Sequence, residues 1–364
     1  MDAGRVVVRV LLGADGRISE AGVHSARPPA ARLLRGRPAG QALALVGLLF
    51  QACREAQTAA AAAALGAAGW QDQQPEPGAA AEREARVACE VAQEHLWRLM
   101  LDWPALLALP ADQPGLRRWF QALRAAAAAG RLPQGLLAEF EQHWLGCAAA
   151  RWQQIVTLEQ LDQWCAGHDS PAAQLCTVMA GHDRDPLAAA PAPLLRDQSL
   201  ASLAAGWGQD IDDAFCQLPH RDGVACETGV LSWHGDTPLQ QDLGARRPAR
   251  LLARLLARVQ DLLEILGGVA RQRIEAVRCA DGSGMALVRT ARGLLLHRVQ
   301  LAADQVAAYR SVAPTEWNFH PQGPLVCALR GLRVGGDGQR ACPVRLQLAT
   351  LDPCVEHVLE VGHA

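Results

Sequence analysis

Segments with the apolar spacing of amphipathic helices dominate the chain and constrain its fold more than any other feature. Apolar residues recur every three or four positions over residues 41–69, 81–101, 115–129, 136–152 and 248–266. A polar loop at 71–78 and a Pro-rich segment at 186–195 interrupt the series. The pattern predicts a helical body over about residues 40–270.

Short β elements are expected on both sides of this body. Residues 6–12 and 17–24 flank Asp15-Gly16, and a glycine at that place supplies the positive φ that a tight hairpin turn needs. Over residues 274–348 the helical pattern is replaced by short apolar runs, with turn signals at Asp281-Gly282 and at the GGDG of 335–338. This second region is predicted to contain short strands and loops.

Together these segments predict an α+β fold that is predominantly α-helical. The chain has 364 residues, which is long enough to bury a sizeable core. We assign residues 1–364 to a single domain, with a hairpin at about 5–24, a helical body at about 40–270 and a mixed strand and loop region at about 271–364.

Composition and charge exclude several classes of function. The chain carries 35 basic and 37 acidic residues without a long basic run, so we expect no nucleic-acid-binding surface. The alanine-rich segments are too weakly apolar and too short for a membrane span, and the charged N-terminal stretch does not resemble a signal peptide. The 11 cysteines are irregularly spaced without a C-x-x-C pair, which argues against a disulfide framework or a zinc ribbon and favours a reducing cytoplasm.

Three arginines mark one face of the segment at 248–266. Arg250, Arg254 and Arg258 recur at intervals of four residues, and leucines lie on the opposite face. We interpret this arginine face as solvent-exposed, with an anion-binding or partner-binding site as the alternative.

Several motifs occur in the order typical of one family. The chain contains ETGVL at 227–231, Ala-Arg-Gly at 291–293, APTEWN at 313–318 and LDPC at 351–354. These motifs resemble the ETGPL, PRG, PTTWN and DPC signatures of nickel-iron (NiFe) hydrogenase large subunits. LLRGRP at 33–38 and LFQACREAQ at 49–57 resemble the N-terminal motifs of the same family. The resemblance implies a large-subunit-like fold with a metal site.

The chain departs from that family at its metal ligands. Catalytic large subunits bind nickel and iron through two C-x-x-C pairs, which supply four thiolates. In the first pair Phe50 replaces one cysteine and Cys53 remains, and in the second pair Cys354 remains and His357 replaces the other. The resemblance therefore implies metal ligation by Cys53 and Cys354, with His357 assisting, at a site too incomplete for a nickel cage.

The positions that hold the cyanides of the family's iron are retained. In the large subunits, the arginine of the PRG turn and the hydroxyl of the PT-x-WN motif hydrogen-bond the two cyanides. Arg292 and Thr315 occupy these positions here. Cyanide nitrogens are anionic acceptors, so a guanidinium and a hydroxyl are suitable donors.

This combination is similar to hydrogenase expression proteins of the HupK/HoxV type. That similarity implies a cytoplasmic, non-catalytic maturation scaffold that transiently holds an Fe(CN)2(CO) fragment, and we do not expect nickel. The partners it implies are HypC/HypD-type iron assembly proteins and the apo NiFe-hydrogenase large subunit. Large subunits carry a C-terminal extension that a protease removes, and since the sequence stops one residue after His363, we expect no such cleavage.

Each of these assignments has a structural alternative. Cys53 and Cys354 could be ordinary buried cysteines, His357 could cap the last carbonyl groups, and Arg292 and Thr315 could belong to ordinary turns. We interpret Glu227, Trp317 and Asn318 as structural. Two other functions also remain open: a divergent hydrogenase with its own nickel, and a metal-free decoy of the large subunit that acts through protein contacts alone.

Overall fold

The computed structural model describes residues 4–28, 30–71, 78–183, 190–196, 200, 203–204, 211–246, 250–269, 272–334 and 342–363. Over these residues a helical body is combined with two small β-sheets. The predicted α+β class with a helical majority is therefore confirmed.

The N-terminal hairpin forms as the sequence predicts. β1 (Arg5–Leu12) pairs antiparallel with β2 (Ile18–Ala26). Val6, Val8 and Val10 are buried because alternate side chains of β1 face the core.

The helical body begins with α1 (Ala39–Leu49), α2 (Arg54–Ala67) and α3 (Ala79–Trp97). It continues with α4 (Trp103–Leu106), α5 (Gln113–Ala128), α6 (Leu136–Phe140), α7 (Ala149–Trp152), α8 (Leu158–Gly167) and α9 (Pro171–His182). The remaining helices of the body are α10 (Asp213–Gln217), α11 (Val230–His234), α12 (Pro238–Arg246) and α13 (Leu251–Leu266). Among the described residues, every helix is too short or too polar to cross a bilayer.

Two predicted helices are interrupted. The segment 41–69 is broken by the single 3-10 turn Gln51–Cys53, which separates α1 from α2. The segment 136–152 is broken at Gly146, whose φ of 84° ends the helical turns that follow α6. In both cases apolar spacing continues across the break because both helices contribute to the same core.

Three predicted features lie wholly or partly outside the described residues. These are most of the polar loop at 71–78, the first part of the Pro-rich segment at 186–195 and the GGDG at 335–338. Residues 190–196 are described, and they form no helix and a single isolated bridge at Leu194, in agreement with the predicted break.

A four-stranded antiparallel sheet follows the helical body. β3 (Ile274–Arg278), β4 (Gly284–Thr290), β5 (Gly293–Ala302) and β6 (Gln305–Val312) lie side by side in sequence order. Apolar side chains of α1 and α2 pack on this sheet around Tyr309, which is 1% exposed. This packing places the break between α1 and α2 close to the sheet.

The prediction of strands and loops up to residue 348 is wrong beyond β6. The chain forms three helices there, α14 (Pro314–Asn318), α15 (Pro324–Leu329) and α16 (Cys342–Leu351). Pro314 and Pro324 occupy the first helical positions, where the ring presets φ and no backbone N–H is lost. These helices are short, so their apolar spacing is hard to distinguish from that of buried strands.

The C-terminal segment is held by β pairing. β7 (Glu356–His363) runs parallel to β1, from the pair Arg5 and Glu356 to the pair Leu12 and His363. The sheet order is β2-β1-β7. Through this pairing the two ends of the sequence are brought together, and the turn before β7 is fixed.

Candidate metal centre

Cys53 lies at the junction of α1 and α2. Its φ of −145° and ψ of 52° are not helical, and it caps the N-terminus of α2. The expectation of one continuous helix through Cys53 is therefore wrong. Nε2 of Gln57, one turn further along, donates a hydrogen bond to Cys53 Sγ at 3.6 Å.

Cys354 lies in the turn between α16 and β7. Asp352 has a φ of 56°, in the left-handed region that aspartate tolerates better than most residues. Pro353 follows and cannot extend the helix, so the chain turns away from α16. The Asp-Pro pair thus places Cys354 just before the strand that pairs with β1.

Thr315 at the start of α14 contacts this second cysteine. Its Oγ1 lies 3.1 Å from Cys354 Sγ and accepts a hydrogen bond from Cys354 N–H at 3.3 Å. The Thr315 side chain is 1% exposed. Because the oxygen accepts from the amide, the hydroxyl proton is available to the sulfur.

The two cysteines lie close enough to interact electrostatically. Burial raises the pKa of the Cys53 thiol to about 12, with further increases from Cys354 and Glu90 and an opposing effect of Arg292. Burial lowers the pKa of Arg292, but Asp352, Glu94 and then the two thiols outweigh this effect and raise it. The structure therefore places Cys53, Cys354 and Arg292 near one another, with the guanidinium buried and the two thiols partly buried.

The turn between β4 and β5 positions Arg292. Gly293 has a φ of 137°, and a Cβ there would lie 2.5 Å from Thr228 Cγ2, so only glycine fits. Thr290 Oγ1 accepts hydrogen bonds from the N–H groups of Arg292 and Gly293, each at 3.2 Å.

The ETG and WN motifs hold the same turn from the other side. Thr228 Oγ1 accepts from Leu294 N–H at 2.9 Å, and Asn318 Nδ2 donates to the Arg292 carbonyl at 3.3 Å. Asn318 Oδ1 in turn accepts from Thr228 N–H at 3.0 Å. These contacts agree with the structural role predicted for Asn318, and they connect motifs that lie far apart in the sequence.

The Arg292 guanidinium is buried between two carboxylates. Its Nη2 donates to Glu94 Oε2 at 2.7 Å. Its Nε lies 3.4 Å from Asp352 Oδ1 but not in hydrogen-bond geometry. Within the described part of the chain this buried Nε–H has no hydrogen-bond partner, and it is the kind of donor that an anionic ligand of the site would satisfy.

The arginine face of α13 is buried, so our interpretation of it as solvent-exposed is wrong. Arg254 forms a bidentate pair with Glu227 at 2.8 and 3.0 Å, and Arg250 donates to the same carboxylate at 2.9 Å. Arg258 pairs with Asp352 at 3.2 Å. Arg254 and Arg258 are each 4% exposed, because these carboxylates compensate for the loss of water.

His357 is placed differently from the other candidate residues. It lies on β7 opposite Val6, and it is exposed. Partial burial lowers its pKa, and the charges that also affect that pKa belong to Arg345, Arg98 and Asp352 rather than to either cysteine. The structure does not bring this imidazole into contact with the thiols.

Four residues near the thiols were not identified from the sequence, and one of them is Glu90, which accepts hydrogen bonds from the N–H groups of Glu55 and Ala56 just after Cys53. Gln57 could have been found from its position one helical turn after Cys53. Glu94 and Arg27 carry no local signal, because they reach the site from α3 and from the end of β2. Arg27 forms an ion pair with Glu316, the neighbour of Thr315.

A separate group of potential metal ligands is present in the helical body. His234, Asp261 and Glu264 have ligand atoms within 4.8 Å of one another. Asp261 is fully buried and already pairs with Arg273 at 2.9 Å and with His95 at 2.9 Å. A metal ion would have to compete with the Arg273 cation for the same carboxylate, so this group is better explained as a buried ion network.

The residues at the cysteine site fit some metals better than others. Two sulfur donors beside a guanidinium and a hydroxyl suit a single soft centre that carries anionic ligands. They do not fit the binuclear nickel-iron site of the family they resemble, since Phe50 and His357 replace two of its thiolates.

Comparisons with known proteins identify relatives along most of the chain. The chain is 32% identical over 384 residues to the hydrogenase expression/formation protein HoxV of Cupriavidus necator, which covers 94% of this chain and 93% of that protein. It is also 32% identical over 368 residues to the hydrogenase expression/formation protein HupK of Bradyrhizobium diazoefficiens, with 93% and 92% coverage. No family model matches the chain.

Solved structures identify the fold. The Ni-Fe-Se hydrogenase from D. vulgaris Hildenborough in the reduced state matches with a TM-score of 0.58 and 16% identity, over 96% of this chain and 98% of that chain. The fold is that of NiFe hydrogenase large subunits, as the motif order predicted.

Proposed function

The chain belongs to the family of hydrogenase expression/formation proteins that includes HoxV, HupK and HupV, and on this basis we propose that it is a maturation scaffold. In this proposal it holds an Fe(CN)2(CO) fragment before transfer to a NiFe hydrogenase large subunit. The observation that carries the proposal is the contact of Thr315 Oγ1 with Cys354 Sγ at 3.1 Å, together with the buried Arg292 guanidinium, whose Nε lies 3.4 Å from Asp352, two residues before Cys354.

The donor atoms support iron as the cargo. Thiolates are soft ligands that suit low-spin iron with cyanide and carbonyl ligands. In Fe(CN)2(CO) the two cyanides neutralise a ferrous ion, so binding by two thiolates produces a dianion. A buried guanidinium beside such a dianion is electrostatically favourable.

Two groups are available for the cyanide nitrogens. Arg292 offers its unpartnered Nε–H, and Thr315 offers its hydroxyl after rotation away from Cys354 Sγ, 3.1 Å away. Each hydrogen bond to a charged acceptor contributes about 1.5–3 kcal/mol. His357 would assist only if β7 or the cargo moved, because its ring lies apart from the thiols.

Metal binding at Cys53 is linked to the protonation of its thiol. The pKa of its thiol is raised to about 12, mainly by burial. Metal binding must therefore release a proton, and reprotonation favours release of the metal. The small number of protein ligands and the linkage to Cys53 protonation both allow the iron fragment to be released again.

The same reasoning defines the partners. A scaffold of this kind requires a donor of the HypC/HypD type and an apo large subunit as the acceptor. Since the chain has the fold of a large subunit, a donor that recognises that fold has a suitable surface here. We place this exchange in the cytoplasm, where the 11 free thiols remain reduced.

The proposed role is accessory rather than catalytic. The relatives are named as expression/formation proteins, and hydrogen cleavage in the resembled enzymes uses four thiolates, of which two positions are retained. A divergent hydrogenase would require stoichiometric nickel and hydrogen uptake by the purified protein.

Infrared spectroscopy of the anaerobically purified protein tests the proposal. Iron-bound CN and CO stretches lie in a window that protein leaves empty, and we expect them in the wild type. They should be lost in Cys53→Ala and Cys354→Ala but retained in Cys279→Ala, a control at a partly buried cysteine at the end of β3. If neither cysteine variant changes hydrogenase maturation in the producing cell, the protein acts as a metal-free decoy instead.

A further inference from the structure

Arg27 brings a second guanidinium to the two cysteines. It follows β2, its side chain is 17% exposed, and it forms an ion pair with Glu316. Glu316 directly follows Thr315, whose hydroxyl contacts Cys354 Sγ. Arg27 therefore approaches the thiol site from the side of α14.

A cavity of about 90 Å3 lies on this side, and Gln57, which contacts Cys53, forms part of its wall. Its wall includes Arg27, Phe50, Gln57 and Glu316, and Gln57 donates to Cys53 Sγ at 3.6 Å. Phe50 occupies the sequence position of a thiolate that nickel uses in the resembled large subunits. A phenyl ring and a guanidinium have no lone pair for a metal cation, and the Glu316 carboxylate in the same wall is already paired with Arg27.

The charge of Arg27 acts on both thiols. Burial lowers its pKa, but Glu316, then Cys354 and Cys53, outweigh that effect and raise it above the ordinary value for arginine. The guanidinium is therefore charged at neutral pH. A divalent ion beside a fixed positive charge in a partly buried site is repelled, whereas a fragment that becomes anionic on binding two thiolates is attracted.

Arg27 and Arg292 differ in the carboxylates that neutralise their positive charges. Arg292 lies between Glu94 and Asp352. Arg27 has Glu316 as its first source of attraction and the two thiols as the next. Among the residues that the structure describes, Arg27 thus has one carboxylate partner, whereas Arg292 has two.

We propose that the Arg27 guanidinium takes the place of a second metal cation beside Cys53 and Cys354, so that the thiol pair accepts one anionic metal centre and disfavours a divalent ion such as Ni2+. The inference rests on the proposed function in one respect, since it treats the two cysteines as metal ligands. It identifies Arg27 as a specificity-determining residue.

Metal affinity of the reduced, metal-free, full-length protein tests this. Ni2+ and Zn2+ are titrated in competition with a chromophoric chelator, and zinc is included because thiolates bind it tightly. Arg27→Gln should raise both affinities on the order of tenfold or more. Arg27→Lys keeps the charge and should remain within about twofold of the wild type.

Matched controls assign the effect to the site. Arg32→Gln removes another arginine of the same cavity, which is 55% exposed and pairs with Asp213, and it should leave both affinities unchanged. In a Cys53→Ala background the increase from Arg27→Gln should vanish. Equal affinities of the wild type and Arg27→Gln, or an equal increase in Arg32→Gln, would overturn the proposal.

If Arg27→Gln does not fold, a second variant, for which the opposite change in metal affinity is expected, still tests the proposal. Glu316→Gln removes the counter-ion of Arg27, so the affinity for Zn2+ should fall, and an unchanged or higher affinity would contradict the proposal. None of these titrations uses the iron fragment. If the wild type shows the iron bands but Arg27→Gln leaves the Ni2+ and Zn2+ affinities unaltered, this inference alone is refuted. If Arg27→Gln raises both affinities but the wild type shows no iron bands, the carrier function alone is refuted.

Discussion

The Thr315 side-chain oxygen lies 3.1 Å from Cys354 Sγ and accepts a hydrogen bond from the amide of the same cysteine at 3.3 Å. A single hydroxyl thus connects the start of α14 with the turn before β7. The contact joins two family motifs, PTEWN and LDPC, and it fixes the sulfur on the side of the site where Arg27 and Glu316 lie.

Loss of this hydroxyl should destabilise the fold. Thr315→Val keeps the shape but leaves the Cys354 amide without its acceptor, and we expect a decrease of about 1–3 kcal/mol in the free energy of unfolding. Thr315→Ser retains the oxygen and should remain close to the wild type. Urea unfolding of the three proteins measures the difference, and equal stability of the valine variant would show that water replaces the hydroxyl.

Gly293 should not tolerate a side chain. In Gly293→Ala the new Cβ meets Thr228 Cγ2 at 2.5 Å in a left-handed backbone conformation, so we expect a loss of at least about 1 kcal/mol. Gly22→Ala is the matched control, since a Cβ there meets no atom within 4 Å. Thermal denaturation of both variants provides the comparison, and similar transition temperatures would contradict the close packing of the β4–β5 turn.

The charge of Asp352 is expected to contribute more to the stability of the fold than its positive-φ backbone conformation does. Asp352→Asn keeps a residue type that accepts a positive φ, but it leaves Arg98, Arg258 and Arg292 without their shared carboxylate. Breaking a buried ion network costs about 3–5 kcal/mol. Asp222→Asn tests the backbone alone, because Asp222 has a φ of 52° and its side chain is 92% exposed, and chemical denaturation should show almost no change there.

The free energy of unfolding should decrease at acidic pH because Glu227 becomes protonated. Burial raises the pKa of this carboxyl, but Arg254 and Arg250 outweigh burial and lower it to about 2 from an ordinary value of 4.5. The folded-state pKa lies below the unfolded one, so the carboxylate stabilises the fold above pH 4.5 and this contribution is lost as the pH falls toward 2. The shift corresponds to about 3 kcal/mol.

Glu227→Gln isolates this contribution. The variant should be less stable than the wild type at pH 7, and the difference in free energy of unfolding should shrink as the pH falls below about 4.5. Denaturant titrations of both proteins at several pH values test the sign. A difference that stays constant with pH would mean that folding does not shift the pKa of this carboxyl.

Local sequence signals were sufficient for much of the fold. Most helices up to residue 152 and α13 follow from apolar spacing, whereas α8 to α12 are covered only by the general prediction of a helical body. The N-terminal hairpin follows from Asp15-Gly16 between alternating strands. Local sequence signals fail where two helices share one apolar pattern, as at Cys53 and Gly146. They also fail where short helices such as α14 have too few turns to be recognised. The order of the motifs also predicted that Cys53, Cys354, Arg292 and Thr315 belong to one site.

The sequence by itself determined the fold class, the hairpin and the chemical identity of the candidate ligands, because these depend on spacing and residue type over short stretches. Only the tertiary structure decided that Arg254 and Arg258 are buried, that Arg27 pairs with Glu316 and that His357 is exposed on β7. The physical reason is that a charged side chain can be buried wherever a carboxylate arrives to pair with it. Glu227, Glu316 and Asp352 arrive through the packing of distant segments, which no local pattern records.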